Sequence, residues 1–348
     1  MQIIHILLSC SLLLIGGCKK ESVNSNPDLV APTNLEIART VSNDGSGKVT
    51  VNATAKNAVS FKFEFGDGES ISQSSGTTEY KYVEEGIHAY TITVTAVSSA
   101  GLKISKTTDV TISVTAPVPV LFWSDEFNID GAPDPSKWVY DIGTGSDGWG
   151  NQELEYYTDR VDNVVVEGGL LKIKALKENY NASAYTSARI KSLGKFQFKY
   201  GVVKVGAKMP IGVGTWPAVW MLGADISAVG WPACGEIDIM EHLGRDLNTI
   251  YGTVHYPGRS GGNPVSATTI ISNATTEFHE YKLEWSSKYI KFYVDDTLFH
   301  TVNNSNALPF NKDFFFLINL AIGGAFGGNV DPAFTNATLE VDYIRVYK

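Results

Sequence analysis

Three carboxylates lie close together in the segment CGEIDIMEHLG, which runs from Cys234 to Gly244. Glu236 and Asp238 alternate with isoleucines, so in a strand these two acids share one face. Glu241 breaks the pattern, because strict alternation would turn it to the opposite face. Either Glu241 is an unrelated surface residue, or the strand is irregular and all three acids converge.

Converging carboxylates of this kind can cleave a glycosidic bond. One acid protonates the leaving oxygen, and a second carboxylate attacks the anomeric carbon or activates water. A β-bulge with Met240 as the extra residue would bring Glu241 to the face of Glu236. Close carboxylates also raise at least one pKa, which a general acid requires. On spacing alone, the alternative is that the three acids lie on a solvated strand edge and have no catalytic role.

The segments around this strand predict an all-β domain. Between Leu121 and Lys348, short alternating and apolar runs recur without a long amphipathic helix. A β-sandwich of this size with one concave sheet would offer a groove to a long polymer.

A second, smaller all-β unit is predicted over residues 35–115, followed by a Pro-containing linker at 116–120. Its short runs are rich in Val, Thr, Phe and Tyr and are separated by Gly-containing turns, which favours an immunoglobulin-like sandwich. FEFGDGES and YKYVEEGIHAYTITVTAVSSAG resemble the PKD-type module of extracellular bacterial enzymes. The resemblance places Asp67 in a turn and gives the core as Phe63, Phe65, Tyr90, Ile92 and Val94. Because all seven Trp lie beyond residue 120, we expect a spacer rather than a sugar-stacking platform.

The N-terminus resembles a bacterial lipoprotein signal peptide. The apolar run IIHILLSCSLLLIGGC ends in small residues before Cys18, although no Lys or Arg precedes it. We therefore expect a signal peptide at 1–18, a lipid on Cys18 and a polar linker at 19–34. The chain would then be anchored in the bacterial cell envelope, at the outer membrane, through its lipid alone. The alternative is a buried N-terminal strand.

Composition narrows the class of protein and of partner. The chain is 43% hydrophobic and 19% charged, as in globular proteins, and its formal charge of −9 argues against nucleic acid. Removal of Cys10 and lipidation of Cys18 would leave Cys234 without a partner, so no intramolecular disulfide is expected. We interpret Cys234 as a packed apolar residue rather than a nucleophile, and the chain as a monomer.

The segment GEIDIMEHLG resembles the ExDxxE signature of glycoside hydrolase family 16, in the bulged form of its laminarinase-like endo-β-1,3-glucanases. Further matches follow in the family's order: GWGNQELEYYTDR, SARIKSLGKFQFKYGVVKVGAKMPIGVGTWPAVWMLG, VHYPG, HEYKLEWSSKYIKFYVDD, NLAIGGAFGG and VDYIRVYK. Together they span nearly all of residues 121–348. The resemblance implies a concanavalin-like jelly roll with a concave substrate cleft.

The family's motif implies a role for each acid. Glu236 would be the nucleophile and Glu241 the general acid and then the base, with Asp238 hydrogen-bonded to the nucleophile. The product would retain its anomeric configuration through a covalent glycosyl-enzyme, without a catalytic cofactor.

The resemblance also implies residues that contact the sugar, for which aromatic faces are suited because one side of a pyranose is nearly apolar. Core packing is the alternative for each Trp, and a satisfied structural histidine is the alternative for the His. His242 should point away from the cleft. The expected substrate-binding residues are Asn151, Arg189, Trp216, Trp220, Trp231 and His255.

A structural Ca²⁺ on the convex side is implied at Glu126, Gly168 and Asp342, partly through backbone oxygens. The alternative for Asp342 is an ordinary acid near a strand end.

These observations favour a retaining endo-glycosidase acting on β-1,3-glucan of the laminarin kind. Mixed-linkage β-1,3-1,4-glucan, a galactan such as agarose, and transglycosylation remain alternatives that the carboxylates do not separate. A non-catalytic glucan-binding surface protein is a further alternative, although a lectin has no need of both Glu236 and Glu241.

Overall fold

The computed structural model describes residues 29–115 and 118–348. The chain divides into two compact units, Met1–Pro117 and Val118–Lys348. The expected signal peptide, Cys18 and residues 19–28 of the first linker lie outside the described residues, as do residues 116 and 117 of the second. Within the described ranges, the helices are too short or too polar to cross a bilayer.

The N-terminal unit is a sandwich of two antiparallel sheets. One sheet has the strand order β1-β2-β5 and the other β4-β3-β6-β7. The strands are β1 Thr33–Val41, β2 Lys48–Lys56, β3 Ser60–Glu64, β4 Ser70–Gln73, β5 Thr77–Lys81, β6 Gly86–Val97 and β7 Lys103–Val114. The predicted all-β fold is therefore confirmed for this unit.

The predicted core of this unit is correct except at one position. Fully buried side chains include Phe63, Phe65, Ile92 and Val94. Tyr90 is only half-buried, because its ring stacks on Tyr82 at 4.2 Å while its hydroxyl donates to the exposed carboxylate of Glu84. Asp67 accepts the backbone N–H of Glu69 at 3.1 Å, as expected of a turn residue.

The C-terminal unit contains seventeen strands, β8 to β24, in its described residues. A π-helical turn at Gly148–Gln152 and two single-turn helices, α1 Ile226–Val229 and α2 Gly324–Gly327, interrupt them. The strands are β8 Leu121–Asp125, β9 Val139–Asp141, β10 Glu155–Tyr157, β11 Val164–Glu167, β12 Leu170–Tyr180, β13 Ser183–Ser187, β14 Arg189–Lys191, β15 Gly201–Lys208, β16 Thr215–Gly223, β17 Glu236–Leu243, β18 Asp246–His255, β19 Val265–Ile270, β20 His279–Trp285, β21 Tyr289–Val294, β22 Thr297–Asn303, β23 Phe314–Ile322 and β24 Asn336–Tyr347.

Two sheets build the C-terminal unit. A seven-stranded sheet has the order β19-β18-β17-β16-β23-β14-β9, and a ten-stranded sheet runs β10-β13-β12-β24-β15-β20-β21-β22 with β11 beside β12 and β8 beside β24. Apolar side chains of both sheets meet in one core, to which β17 contributes Ile237, Ile239 and Met240. The alternate side chains of β17 face away from this core. This arrangement confirms the predicted β-sandwich.

Cys234 lies two residues before β17 and is an unpaired, fully buried thiol. It packs with Leu222, Phe315 and Leu317. Burial raises the pKa of the thiol to about 11, so the side chain is a protonated, poorly nucleophilic group at neutral pH. Its interpretation as a packed apolar residue is confirmed.

Candidate active site

Strand β17 contains the irregularity that the spacing of its acids predicts. Asp238 pairs with Thr253 of β18 and Glu241 pairs with Tyr251, so β17 advances three residues where β18 advances two. The additional residue turns Glu241 to the face that carries Asp238. The predicted β-bulge is confirmed, and we call the face that bears Glu236, Asp238 and Glu241 the carboxylate face.

The identity of the extra residue differs from the prediction. Against β16, Met240 pairs with Val219, and the next pair joins Asp238 to Trp220. Ile239, between these pairs, has no partner in β16, so the expectation that Met240 is the extra residue is wrong for this strand pair. Ile239 and Met240 are both buried in the core. The bulge therefore exposes no additional apolar side chain.

Burial raises the pKa of all three acids, and repulsion between neighbouring carboxylates adds to this effect for Glu236 and Asp238. Asp238 is 3% exposed and Glu241 is 7% exposed, and loss of hydration is the largest cause of each raised pKa. The charge of Asp238 further raises the pKa of Glu236, and the charge of Glu241 raises that of Asp238. A shared proton among the three acids is the expected state, which suits general acid catalysis.

Two indole N–H groups donate hydrogen bonds to Glu236 and Glu241. Trp231 donates to Glu236 Oε2 at 2.7 Å, and Trp216 donates to Glu241 Oε1 at 3.0 Å. An indole can only donate, so each bond favours the ionised carboxylate and lowers its pKa against the effect of burial. The structure thus brings two of the predicted tryptophans into direct contact with the acids.

His255 also lies beside the acids. Its Nε2 is 3.4 Å from Asp238 Oδ2 and 3.7 Å from Glu236 Oε1, and its ring is 5.9 Å from that of Trp231. His242, in contrast, is fully buried and its Nε2 lies 3.1 Å from the carbonyl oxygen of Leu247. As predicted, His242 does not join the carboxylate face.

Arg189 lies between two indole rings. Its guanidinium carbon is 4.6 Å from the ring centre of Trp149 and 4.9 Å from that of Trp220. Its Nε is 3.0 Å from Asp141 Oδ2, an ion pair that fixes the guanidinium in a largely buried position. The structure therefore places Arg189 beside Trp220, another residue predicted to contact the sugar, and adds Trp149 to the group.

Asn151 lies in the π-helical turn before β10. Neighbouring residues Trp149 and Gln152 have left-handed backbones, with φ of 55° and 59°. The Asn151 amide donates to Glu153 Oε1 at 3.1 Å, so part of its hydrogen-bonding capacity is used within the protein. This bond connects Asn151 to a buried polar network.

The network runs from Asn151 to Trp220 and was not predicted from the sequence. Tyr157 donates to Glu153 at 2.8 Å and accepts from Asn319 at 3.0 Å, and Asn319 accepts the indole N–H of Trp220 at 2.8 Å. A polar residue within the otherwise apolar run FFFLINLAI of β23 was the available signal for Asn319. The network fixes the two predicted sugar contacts relative to each other.

Glu155 is a fully buried acid beside this network. Its Oε2 accepts the backbone N–H of Ile322 at 2.6 Å, while its Oε1 has no hydrogen-bond partner within the described residues. Loss of hydration is the main cause of its strongly raised pKa, and the charge of Glu153 adds to it. The raised pKa favours the protonated form of Glu155, which can donate a hydrogen bond to Glu153.

The residues of the expected calcium site meet only in part. Pairing of β8 with β24 and of β12 with β24 places Glu126, Gly168 and Asp342 at the same end of the ten-stranded sheet. The Glu126 carboxylate, however, is held by Arg345 through Nε at 3.0 Å and Nη2 at 2.7 Å. A cation would thus depend on backbone oxygens and on the exposed Asp342. The calcium site stays a prediction.

We predict that Glu155→Gln is tolerated and that Glu155→Ala is not. Gln can accept the Ile322 N–H and donate to Glu153, whereas Ala leaves the Ile322 N–H unpaired beside a cavity and should cost about 2–4 kcal/mol of unfolding free energy. Because the folded-state pKa of Glu155 is raised, the wild type loses stability relative to the Gln variant as pH rises above the unfolded value of about 4.3. Thermal denaturation between pH 4 and 8 measures both effects. Equal losses for the Ala and Gln variants would contradict a neutral Glu155.

Comparison with known proteins identifies the family. The model of Glycosyl hydrolases family 16 matches residues 150–345, which include the three acids of β17. The chain is 44% identical over 250 residues to a beta-glucanase of Rhodothermus marinus, an alignment that covers 67% of this chain and 86% of that protein.

Solved structures resemble the C-terminal unit closely. The laminarinase of Rhodothermus marinus is 42% identical with a TM-score of 0.64, and the alignment covers 67% of this chain and 98% of the other. The catalytic domain of an endo-1,3-beta-glucanase (laminarinase) from Thermotoga petrophila RKU-1 is also 42% identical, with a TM-score of 0.63 and coverage of 67% and 99%. From the family match, these similarities and the carboxylates of β17, we conclude that the chain belongs to glycosyl hydrolase family 16.

Proposed function

We propose that this protein is a retaining endo-glycosidase that hydrolyses β-1,3-glucan of the laminarin kind. The observation that carries the proposal is the bulged strand β17, which gathers the buried acids Asp238 and Glu241 and the largely buried Glu236 on one face. The laminarinases among its relatives support β-1,3-glucan as the substrate.

The mechanism begins with attack of Glu236 on the anomeric carbon while Glu241 donates a proton to the leaving oxygen. A covalent glycosyl-enzyme forms and the leaving chain departs with that proton. Glu241, now ionised, removes a proton from water, and the resulting nucleophile releases the sugar with retained configuration. No step needs a cofactor.

The contacts of each acid support these roles. The Trp231 N–H occupies Oε2 of Glu236 and favours its ionised form, so Oε1 is left for the anomeric carbon. Burial raises the pKa of Glu241 as it does that of Glu236, so Glu241 can hold the proton that the leaving oxygen needs. Asp238 lies between them and disfavours simultaneous ionisation of its neighbours.

The sugar contacts are proposed to come from a row of aromatic and polar groups along the carboxylate face. Trp216 and Trp231 are hydrogen-bonded to the acids. Trp220 and Asn151 are joined by the buried polar network, and Arg189 packs on the ring of Trp220. Half-exposed Trp231 has a free ring surface for a pyranose. His255 is positioned to contact the sugar beside Glu236.

The N-terminal segments suggest where the enzyme works. We propose a lipid on Cys18 that anchors the chain at the outer membrane, and the PKD-type unit as the spacer between lipid and enzyme. The lipobox-like IGGC and the polar residues after it support the anchor. Labelling of cells with a radioactive fatty acid should mark the wild type and not Cys18→Ser; an unlabelled wild type would contradict the anchor.

We predict that Trp231→Phe shifts the acidic limb of the pH profile of kcat/KM to higher pH. Phe keeps an aromatic ring but lacks the N–H that favours ionised Glu236, so the pKa of the nucleophile rises. Activity below the optimum should fall roughly 10-fold, on the scale of one charge-assisted hydrogen bond. Trp123→Phe, which changes a partly buried indole on β8 of the other sheet, is the control. An unmoved acidic limb would show that Trp231 does not tune Glu236.

The substrate is tested with laminarin, barley β-glucan and agarose, by measuring reducing ends released by the purified chain. We expect laminarin to be the preferred substrate, with internal cleavage that yields a range of oligosaccharides. Glu236→Gln controls for contaminating activity and should be inactive. Preference for agarose, or no release from laminarin, would overturn the substrate assignment. Longer products formed at high oligosaccharide concentration would indicate transglycosylation.

A further inference from the structure

Glu236, Asp238 and His255 form a cluster with metal-ligand geometry. Each offers one oxygen or nitrogen atom, and the three atoms lie within 4.8 Å of one another. His255 Nε2 is 3.4 Å from Asp238 Oδ2 and 3.7 Å from Glu236 Oε1. Ligands at about 2.0–2.2 Å from a tetrahedral Zn²⁺ are roughly 3.3–3.6 Å apart. The two distances from His255 therefore need little adjustment to hold such an ion.

The carboxylate oxygens that lack a hydrogen-bond donor in the described part of the chain also lie on the side of His255. Asp238 is 3% exposed, and its Oδ2, the atom nearest His255, has no hydrogen-bond partner among the described residues. Trp231 occupies Oε2 of Glu236, so the oxygen that faces His255 is Oε1. A buried carboxylate oxygen without a donor is costly, and a cation would satisfy it.

We propose that Glu236, Asp238 and His255 bind a transition-metal ion of the zinc class, and that this ion competes with glucan. The proposal rests on the proposed function only in assigning Glu236 to the reaction. One imidazole and two carboxylates suit Zn²⁺ or Cu²⁺ better than Mg²⁺ or Ca²⁺, which prefer oxygen ligands alone. The bound metal occupies Oε1 of Glu236, the atom that attacks the sugar, so the loaded enzyme is inactive until the ion leaves.

Cys234 does not account for zinc binding at this position. The thiol is fully buried among Leu222, Phe315 and Leu317, and within the described residues it is not one of the groups whose ligand atoms converge in the cluster. His300 provides a second comparison, because it lies on β22 of the ten-stranded sheet, whereas the proposed ligands belong to the seven-stranded sheet. Substitution of Cys234 or His300 removes one side chain that could bind zinc elsewhere and leaves the cluster intact.

The test is a calorimetric titration of the full chain with ZnCl₂ in a non-coordinating buffer, paired with the rate of laminarin hydrolysis. We expect one Zn²⁺ per chain, a higher melting temperature with Zn²⁺, and inhibition that excess laminarin relieves. His255→Gln should weaken Zn²⁺ binding by at least about 10-fold, on the scale of losing a ligand interaction. Glu236→Gln should weaken Zn²⁺ binding as well; for this variant only Zn²⁺ binding is measured, because it is expected to be inactive. Cys234→Ser and His300→Gln should bind as the wild type does, and Mg²⁺ should not inhibit.

Three results would overturn the site: absence of Zn²⁺ binding, binding unchanged in both His255→Gln and Glu236→Gln, or inhibition that laminarin does not relieve. Failure of the proposed function is distinguishable from these results. If laminarin is not cleaved but Zn²⁺ binds through the cluster, the substrate assignment fails and the metal site stands. If laminarin is cleaved and no Zn²⁺ binds, the metal site alone fails.

Discussion

The alternation of side chains along β17 is the constraint on which the active site depends. A regular strand would place Glu236 and Asp238 on one face and Glu241 in the core between the two sheets. Burying an unpaired carboxylate there would cost several kcal/mol. The extra residue removes this conflict, because Ile239 and Met240 both enter the core while Glu241 returns to the carboxylate face. Packing of the apolar side and placement of the acids are thus satisfied by one irregularity.

Gathering three acids on a largely buried face is unfavourable, and strand β16 and the segment before β17 supply the groups that offset it. Indole N–H donors stabilise Glu236 and Glu241 in their ionised forms, while Asp238 keeps an oxygen without a donor. The buried network through Asn319 and Tyr157 connects Trp220 to the turn that carries Asn151. The site therefore combines rigid surroundings with a cluster of acids whose charge is only partly balanced, a state typical of catalytic carboxylates.

Sequence patterns predict some of these features well and others poorly, for physical reasons. Alternation and the position of Glu241 predict the bulge, because strand periodicity is local. They do not reveal that Ile239 rather than Met240 is unpaired against β16, since that depends on the register with another strand. The bond between Asn319 and Tyr157 joins residues 162 positions apart, beyond any local pattern. Similarly, the place of Trp149 beside Arg189 depends on left-handed backbone conformations in an irregular turn.

Mass spectrometry of a trapped reaction intermediate would identify the nucleophile. A 2-deoxy-2-fluoro-laminaribiosyl fluoride should react with the enzyme and hydrolyse slowly, because the fluorine destabilises the oxocarbenium-like transition state. We expect one sugar adduct per chain, located by peptide mapping on Glu236 and absent from Glu236→Gln. An adduct on Glu241 or Asp238, or turnover without any covalent intermediate, would contradict the assignment of Glu236 as the nucleophile on the bulged strand.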